Sequence, residues 1–227
     1  MIAAVLVDLD DTLYPQETFL RGAWGVVAEA ATAFGVDRSP FLRALRDVAA
    51  EGSDRGRIID RALAAVGAVD VPVAPLVHAF RSHQPRRLAP YPGAVEALQT
   101  ARARFPVALV SDGDPAGQRA KLAAVGLGDA FDAIVWSDEL GRVWRKPEPR
   151  PFLHAANLLG VRAADVVMIG DRPDKDVLGA HRAGMRAVRV RTGEYAHAED
   201  LVLPWREAAD VAEAVGLVLS AEEAWVG

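Results

Sequence analysis

The run Ile2-Ala3-Ala4-Val5-Leu6-Val7 is apolar throughout and stops at an acidic cluster, Asp8-Leu9-Asp10-Asp11-Thr12. It is too short for an ordinary helix, so it predicts a buried strand that delivers carboxylates to the edge of a sheet. Side chains alternate along a strand, which turns Asp8 and Asp10 the same way and Asp11 the other. Two neighbouring carboxylates repel unless a cation sits between or opposite them. The cluster therefore demands a metal ion, a lysine, or both.

The chain is 227 residues long, enough for one good core with a small second domain. With 51% hydrophobic and 25% charged residues it has the make-up of a soluble globular protein. A net charge of −5 argues against a nucleic-acid partner, because phosphate backbones are bound by basic surfaces. There is no cysteine, which excludes disulfides, thiolate metal sites and a cysteine nucleophile, and fits a cytoplasmic protein. The apolar start has no basic segment before it and is cut short by Asp8. It is neither a signal peptide nor a membrane span, and no other stretch is apolar enough to span a bilayer. Only Lys121, Lys146 and Lys175 are lysines, so each is worth locating.

Beyond Tyr14-Pro15 the pattern turns helical. Phe19, Leu20, Ala23, Val27, Ala30, Ala31 and Phe34 recur at helical spacing and Gly35 stops the run. Ser39 as N-cap and Pro40 at the first helical position open a second helix, which Glu51-Gly52-Ser53 end. Further helices are expected over about 57–66 and 73–82. From Pro90-Tyr91-Pro92-Gly93 onward strands and helices alternate, with strands at 107–110, 133–135, 165–169 and 187–190 and a closing amphipathic helix over 207–219. The pattern predicts a doubly wound parallel α/β sheet, formed by residues 1–14 and 87–227, with an all-helical insertion at 15–86.

In such a sheet ligands bind beyond the carboxyl ends of the strands. There stand Asp8, Asp10, Asp11 and Thr12 after the first strand, and Ser111-Asp112-Gly113 after the next. Gly170-Asp171 and Asp176 follow a later one, and Lys146-Pro147 lies between. These groups suit phosphoryl transfer. A carboxylate can attack phosphorus to give an aspartyl-phosphate, and a cation must offset the meeting of two anions. Asp8 and Asp171, with Asp176, could hold Mg²⁺. Ser111 and the N–H groups near Gly113 could hold phosphate oxygens, with Thr12 as a further donor. Lys146 would neutralise charge. Asp10 could give a proton to the leaving alkoxide and later take one from water.

This set resembles the haloacid dehalogenase (HAD) superfamily in its phosphatase form. Asp8-Leu9-Asp10-Asp11-Thr12-Leu13 is similar to the first motif and Ser111-Asp112-Gly113 to the second. Lys146-Pro147 is similar to the third, and Gly170-Asp171 with Asp176 to the fourth. The resemblance implies a Rossmann-like core and a C1-type helical cap. It implies Asp8 as nucleophile, Asp10 as general acid/base, and Mg²⁺ held by Asp8, Asp171 and the Asp10 backbone carbonyl. Asp176 would support the metal or Lys146. Asp112 stands where asparagine is commoner, which leaves the backbone donors of the second motif intact. The implied partner is a small phosphorylated metabolite, acted on by a monomer or homodimer, with no nucleic acid or membrane. A phosphomutase of the same superfamily, a 2-haloacid dehalogenase and a silent binding homologue are the competing readings. Asp10 argues against the dehalogenase, whose branch lacks an acid there.

Taken singly, several of these residues have plainer roles. Asp11 is expected to be structural, and Asp174 and Lys175 to start a helix. Phe19 and Trp24 could face a substrate or pack the helical unit, and Arg86-Arg87 could meet an anion or form a solvated hinge. The histidines show no metal-ligand spacing.

Overall fold

The computed structural model describes residues 1–52 and 55–226. Ser53, expected to help end the second helix, lies outside them. The chain divides into two compact units, Met1–Gln16 with Arg87–Gly227, and Glu17–Arg86.

The first unit is built on β1 (Ala4–Val7), every residue of which is buried. Strand β1 lies between β2 (Val107–Ser111) and β4 (Val166–Gly170), pairing Val5 with Val107 on one side and Val167 on the other. With β3 (Ala133–Trp136), β5 (Arg186–Val190) and β6 (Arg206–Ala208) these form a six-stranded sheet, order β3-β2-β1-β4-β5-β6, parallel throughout. A parallel sheet is apolar on both faces because helices cover both, which explains strands with no polar alternation. On one face Leu6, Val110 and Met168 pack with Phe152, Ala155, Val177 and Ala180. Those four come from α8 (Arg150–Leu158), α9 (Leu178–Arg182) and the turn before α9. The strand order reverses direction at β1, so the carboxyl ends of β1, β2 and β4 open onto one crevice.

The second unit packs α1 (Gln16–Ala31), α2 (Arg38–Ala50), α3 (Ile58–Ala65) and α4 (Val73–Arg81) around Val27, Phe41, Leu45, Leu63 and Leu76. Phe19 and Trp24 are buried in it. The Phe19 ring meets Phe80 edge-on, and Trp24 lies 4.7 Å from Phe80 between centroids. These two are packing residues.

Three of the differences from the sequence expectation have a clear local cause. Helix α2 starts at Arg38, with Asp37 rather than Ser39 as N-cap. The Asp37 carbonyl already accepts from Phe41 N–H, so Pro40 falls inside the first turn, where its missing N–H costs nothing. The expected helix start at Glu207 is instead β6, and the helix α10 runs Val211–Val226. Asp210 Oδ1 accepts from Glu213 N–H at 2.9 Å, and Glu213 reaches back to Ala209 N–H at 2.7 Å, a reciprocal cap that fixes the later start. Finally, residues Pro173–Val177 form a wide π-type turn before α9. Asp176 and Val177 both donate to the Arg172 carbonyl there, and the extra residue turns the Asp176 side chain fully inward.

Candidate active site

Asp8 follows β1 directly and its N–H donates to the Ile169 carbonyl of β4, which keeps it in register with the sheet. The backbone then leaves the strand. Asp11 adopts a left-handed conformation (φ 55°), and its carboxylate turns away to accept from Gln16 N–H at 2.8 Å and Glu194 N–H at 3.2 Å. A Cβ on Gly193 would lie 2.1 Å from the Asp11 carboxyl carbon, so the loop holding Asp11 admits only glycine at that point. Asp11 is a structural acid, as expected. Asp8 and Asp10 remain on the crevice.

The third motif lies opposite. Lys146 is 5% exposed, and its ammonium reaches Asp8 Oδ1 at 2.5 Å, Asp176 Oδ1 at 2.7 Å and the Val110 carbonyl at 3.3 Å. Burial works against the ammonium, but the Asp176 and Asp8 charges outweigh it and hold Lys146 well above its ordinary value. The other oxygen of Asp176 accepts from Arg172 N–H at 3.0 Å. Gly170 makes this arrangement possible, since a Cβ there would lie 2.4 Å from the Asp176 carboxyl carbon.

Asp171 completes the set. One oxygen each of Asp8, Asp171 and Asp176 lie within 4.8 Å of one another, and all three residues are buried. Asp171 is held by Thr12, whose hydroxyl lies 3.4 Å from Asp171 Oδ1 and 3.2 Å from its N–H. Lys146 reaches the other two acids, so this one ammonium serves two of the three carboxylates. Burial, then the Asp176 and Asp8 charges, push Asp171 well above the carboxylate range. Burial pushes Asp8 up to about 7 against the pull of Lys146, with Asp176 and Asp10 adding to the rise. Three buried, mutually repelling hard oxygen donors fit a small divalent cation such as Mg²⁺.

Asp10 is partnered differently. Lys121 Nζ lies 3.0 and 2.8 Å from its two oxygens, Gln118 Nε2 lies 3.0 Å from Oδ2, and the Tyr14 hydroxyl donates to Oδ1. Burial tends to raise Asp10, but the Lys121 ammonium and the hydrogen bonds from Lys121, Tyr14 and Gln118 prevail and hold it below the ordinary carboxylate range.

The second motif is divided in use. Ser111 Oγ accepts from Gln118 Nε2 at 2.7 Å. Gly113 has φ 127°, which a side chain would strain, and so its loop is free to turn sharply. Asp112, grouped on sequence with the phosphate donors, points elsewhere. Its Oδ1 accepts from Lys146 N–H at 3.1 Å and Ser137 Oγ at 2.6 Å, tying the second motif to the third.

The structure thus brings together Asp8, Asp10, Thr12, Ser111, Lys146, Asp171 and Asp176, and gives Asp112 a role inside the scaffold. Sequence reasoning missed Tyr14, Gln118 and Lys121. The one available signal was the scarcity of lysine, which made Lys121, one helix after the second motif, worth placing.

Comparison with known proteins bears on the family and the fold. The family model for haloacid dehalogenase-like hydrolases matches residues 2–184. A glyceraldehyde 3-phosphate phosphatase of Methanopyrus kandleri is 38% identical over 86% of this chain and 86% of its own length. A phosphoserine phosphatase of Thermus thermophilus is 39% identical over 68% of this chain and 61% of its own. Among solved structures, the HAD hydrolase YfnB of Bacillus subtilis, bound to magnesium, shares the fold with a TM-score of 0.73 at 18% identity, over 96% of this chain and 98% of that one. By motif order, sheet topology and sequence, this chain belongs to the haloacid dehalogenase-like hydrolases.

Proposed function

We propose that the protein is a Mg²⁺-dependent phosphomonoesterase that works through an aspartyl-phosphate on Asp8. The observation that carries this reading is the placement of Asp8. It is a buried carboxylate that shares Lys146 with Asp176 and stands within 4.8 Å of both other members of the acid trio. Family membership and the phosphatase relatives support the reaction class.

Asp8, Asp171 and Asp176 would hold Mg²⁺, with the Asp10 backbone carbonyl as a further donor. The ion would offset charge on the phosphoryl oxygens when bound. Lys146 holds Asp8 Oδ1 and supplies fixed positive charge beside the nucleophile. Asp8 attacks phosphorus, the P–O bond to the leaving group breaks, and Asp10 gives the departing alkoxide its proton. The incoming phosphoryl anion raises the Asp10 carboxyl toward its protonated form, against the pull of Lys121. In the second half Asp10 takes a proton from water, the water oxygen bonds to phosphorus, and the bond to Asp8 breaks. Ser111 and the N–H groups of the Gly113 loop receive non-bridging oxygens.

We read the helical unit inserted between the first and second motifs as a cap. The relatives' names point to small phosphorylated metabolites, with a triose phosphate as the first substrate to try. Purified protein is expected to release phosphate from an aryl phosphate and from glyceraldehyde 3-phosphate with Mg²⁺, and to stop on chelation. Asp8→Asn is expected to lower kcat by at least about a thousandfold. Full turnover by that variant would overturn the mechanism.

A further inference from the structure

Gln118 and Lys121 are three apart on α6 (Pro115–Val125), hence on one face of the helix. Both are buried, at 3% and 8% exposure, whereas Arg119 between them is exposed. A lysine this buried is rare unless an opposite charge holds it. The helix is fixed at its start by the Asp114 carboxylate, which accepts from Gly117 N–H at 3.1 Å, with Pro115 in the first turn. That start lies immediately beyond Ser111-Asp112-Gly113. The helix therefore carries Gln118 and Lys121 to the Asp10 carboxylate as a rigid extension of the second motif.

A carboxylate has about four lone-pair positions. On Asp10, Oδ1 faces Lys121 and Tyr14, and Oδ2 faces Lys121 and Gln118. All four are in use. A substrate oxygen can reach this carboxylate only by displacing a donor. Gln118 is the donor that can yield, because its Nε2 also lies 2.7 Å from Ser111 Oγ and 2.8 Å from the Asp112 carbonyl. Lys121 contacts both oxygens and so sets the plane of the carboxylate whichever other donor leaves. Gln118 donates to Ser111 Oγ, which leaves the Ser111 proton free to point at an incoming anion.

We propose that Lys121 and Gln118 form a bracket that positions Asp10 for proton transfer and couples it to Ser111. Lys121 is a positioning residue for the leaving-group step, and Gln118 the link between that step and phosphate binding. This rests on the phosphomonoesterase reading. It accounts for two buried polar side chains outside the four motifs and ties them to a single carboxylate.

The bracket is tested by leaving-group dependence. A nitrophenolate departs without a proton, whereas an alkoxide needs one. Wild-type, Lys121→Met, Lys121→Arg and Gln118→Leu proteins are assayed with Mg²⁺ on 4-nitrophenyl phosphate and on an alkyl phosphate, with Asp10→Asn as reference. In Lys121→Met the ratio of alkyl to aryl kcat is expected to fall by about tenfold or more, in the same sense as in Asp10→Asn, because a mis-set acid forfeits part of its contribution. Lys121→Arg, which keeps the charge, is expected to recover part of that ratio. An equal loss on both esters, a loss confined to KM, or identical behaviour of the Met and Arg variants would overturn the bracket. Should Lys121→Met fail to fold, Gln118→Leu decides on the same ratio, and an unchanged ratio overturns the proposal. Wild-type protein inactive on both esters would sink the phosphatase reading and this inference with it. Active wild type with constant ratios across the variants would sink this inference alone.

Discussion

Asp112 does its work with one oxygen. Oδ1 takes both the Ser137 hydroxyl and the Lys146 N–H, while Oδ2 is buried without a partner. An amide would keep the useful oxygen but give up a carboxylate charge that favours the Lys146 ammonium. Asp112→Asn is therefore expected to fold and to melt at the same temperature or slightly lower. Asp112→Ala strands two buried donors and should cost about 1–3 kcal/mol in denaturant unfolding. It should also lower kcat, because the Lys146 backbone loses its tether. Gly170 gives a second test, since alanine there meets the Asp176 carboxyl at 2.4 Å. Gly170→Ala should displace that acid from Lys146 and weaken Mg²⁺ activation, read as a higher Mg²⁺ concentration for half-maximal rate. At this scale the acids and Lys146 were legible, because each follows a strand or sits in a short motif. Gln118, Lys121 and Tyr14 were not. Their meaning depends on the phase of α6 against a carboxylate that lies far away in sequence, and no local pattern carries that phase.

Among the elements, alternation of apolar runs with helical periods exposed the parallel sheet and the helical insertion, since burial on both faces leaves a distinctive strand. Strand β6 and the turn before α9 are among the elements that escaped. Strand β6 is short and half polar, with Arg206 and Glu207 exposed, so nothing marks it as a strand except its neighbour β5. The π-type turn at Pro173–Val177 reads as an ordinary helix start because one extra residue leaves no trace in composition. The face on which α8 and α9 meet the sheet depends on close packing. Phe152 is fully buried and its ring would lie 2.4 Å from a Cβ on Gly179. Phe152→Ala should cost about 3–5 kcal/mol in chemical denaturation. Gly179→Ala should be destabilising in the same assay, because the ring has to move.

For the molecule as a whole, the acid trio sets a pH dependence. Asp8 rises from 3.8 to about 7 in the folded chain, and Asp171 shifts the same way. Between those values the folded protein binds protons that the unfolded chain does not, so stability falls as pH rises through that window. Metal-free protein is expected to need more denaturant to unfold at about pH 6 than at about pH 8, and Asp8→Asn should flatten the difference. Mg²⁺, which needs the carboxylates ionised, should stabilise more at the higher pH. Asp10 has the opposite sign, and its contribution is lost only as pH falls below the ordinary carboxylate value.

The sheet order carries a consequence for how the chain comes into being. Strand β1 is made before the helical insertion, yet its two neighbours are β2 and β4, whose first paired residues are Val107 and Val166. On a ribosome, the helical insertion 17–86 is complete and contiguous while β1 still waits for both partners. The acids at its end are joined by Asp171 and Asp176 only once β4 has been made, so the acid trio is assembled after the fourth strand of the sheet.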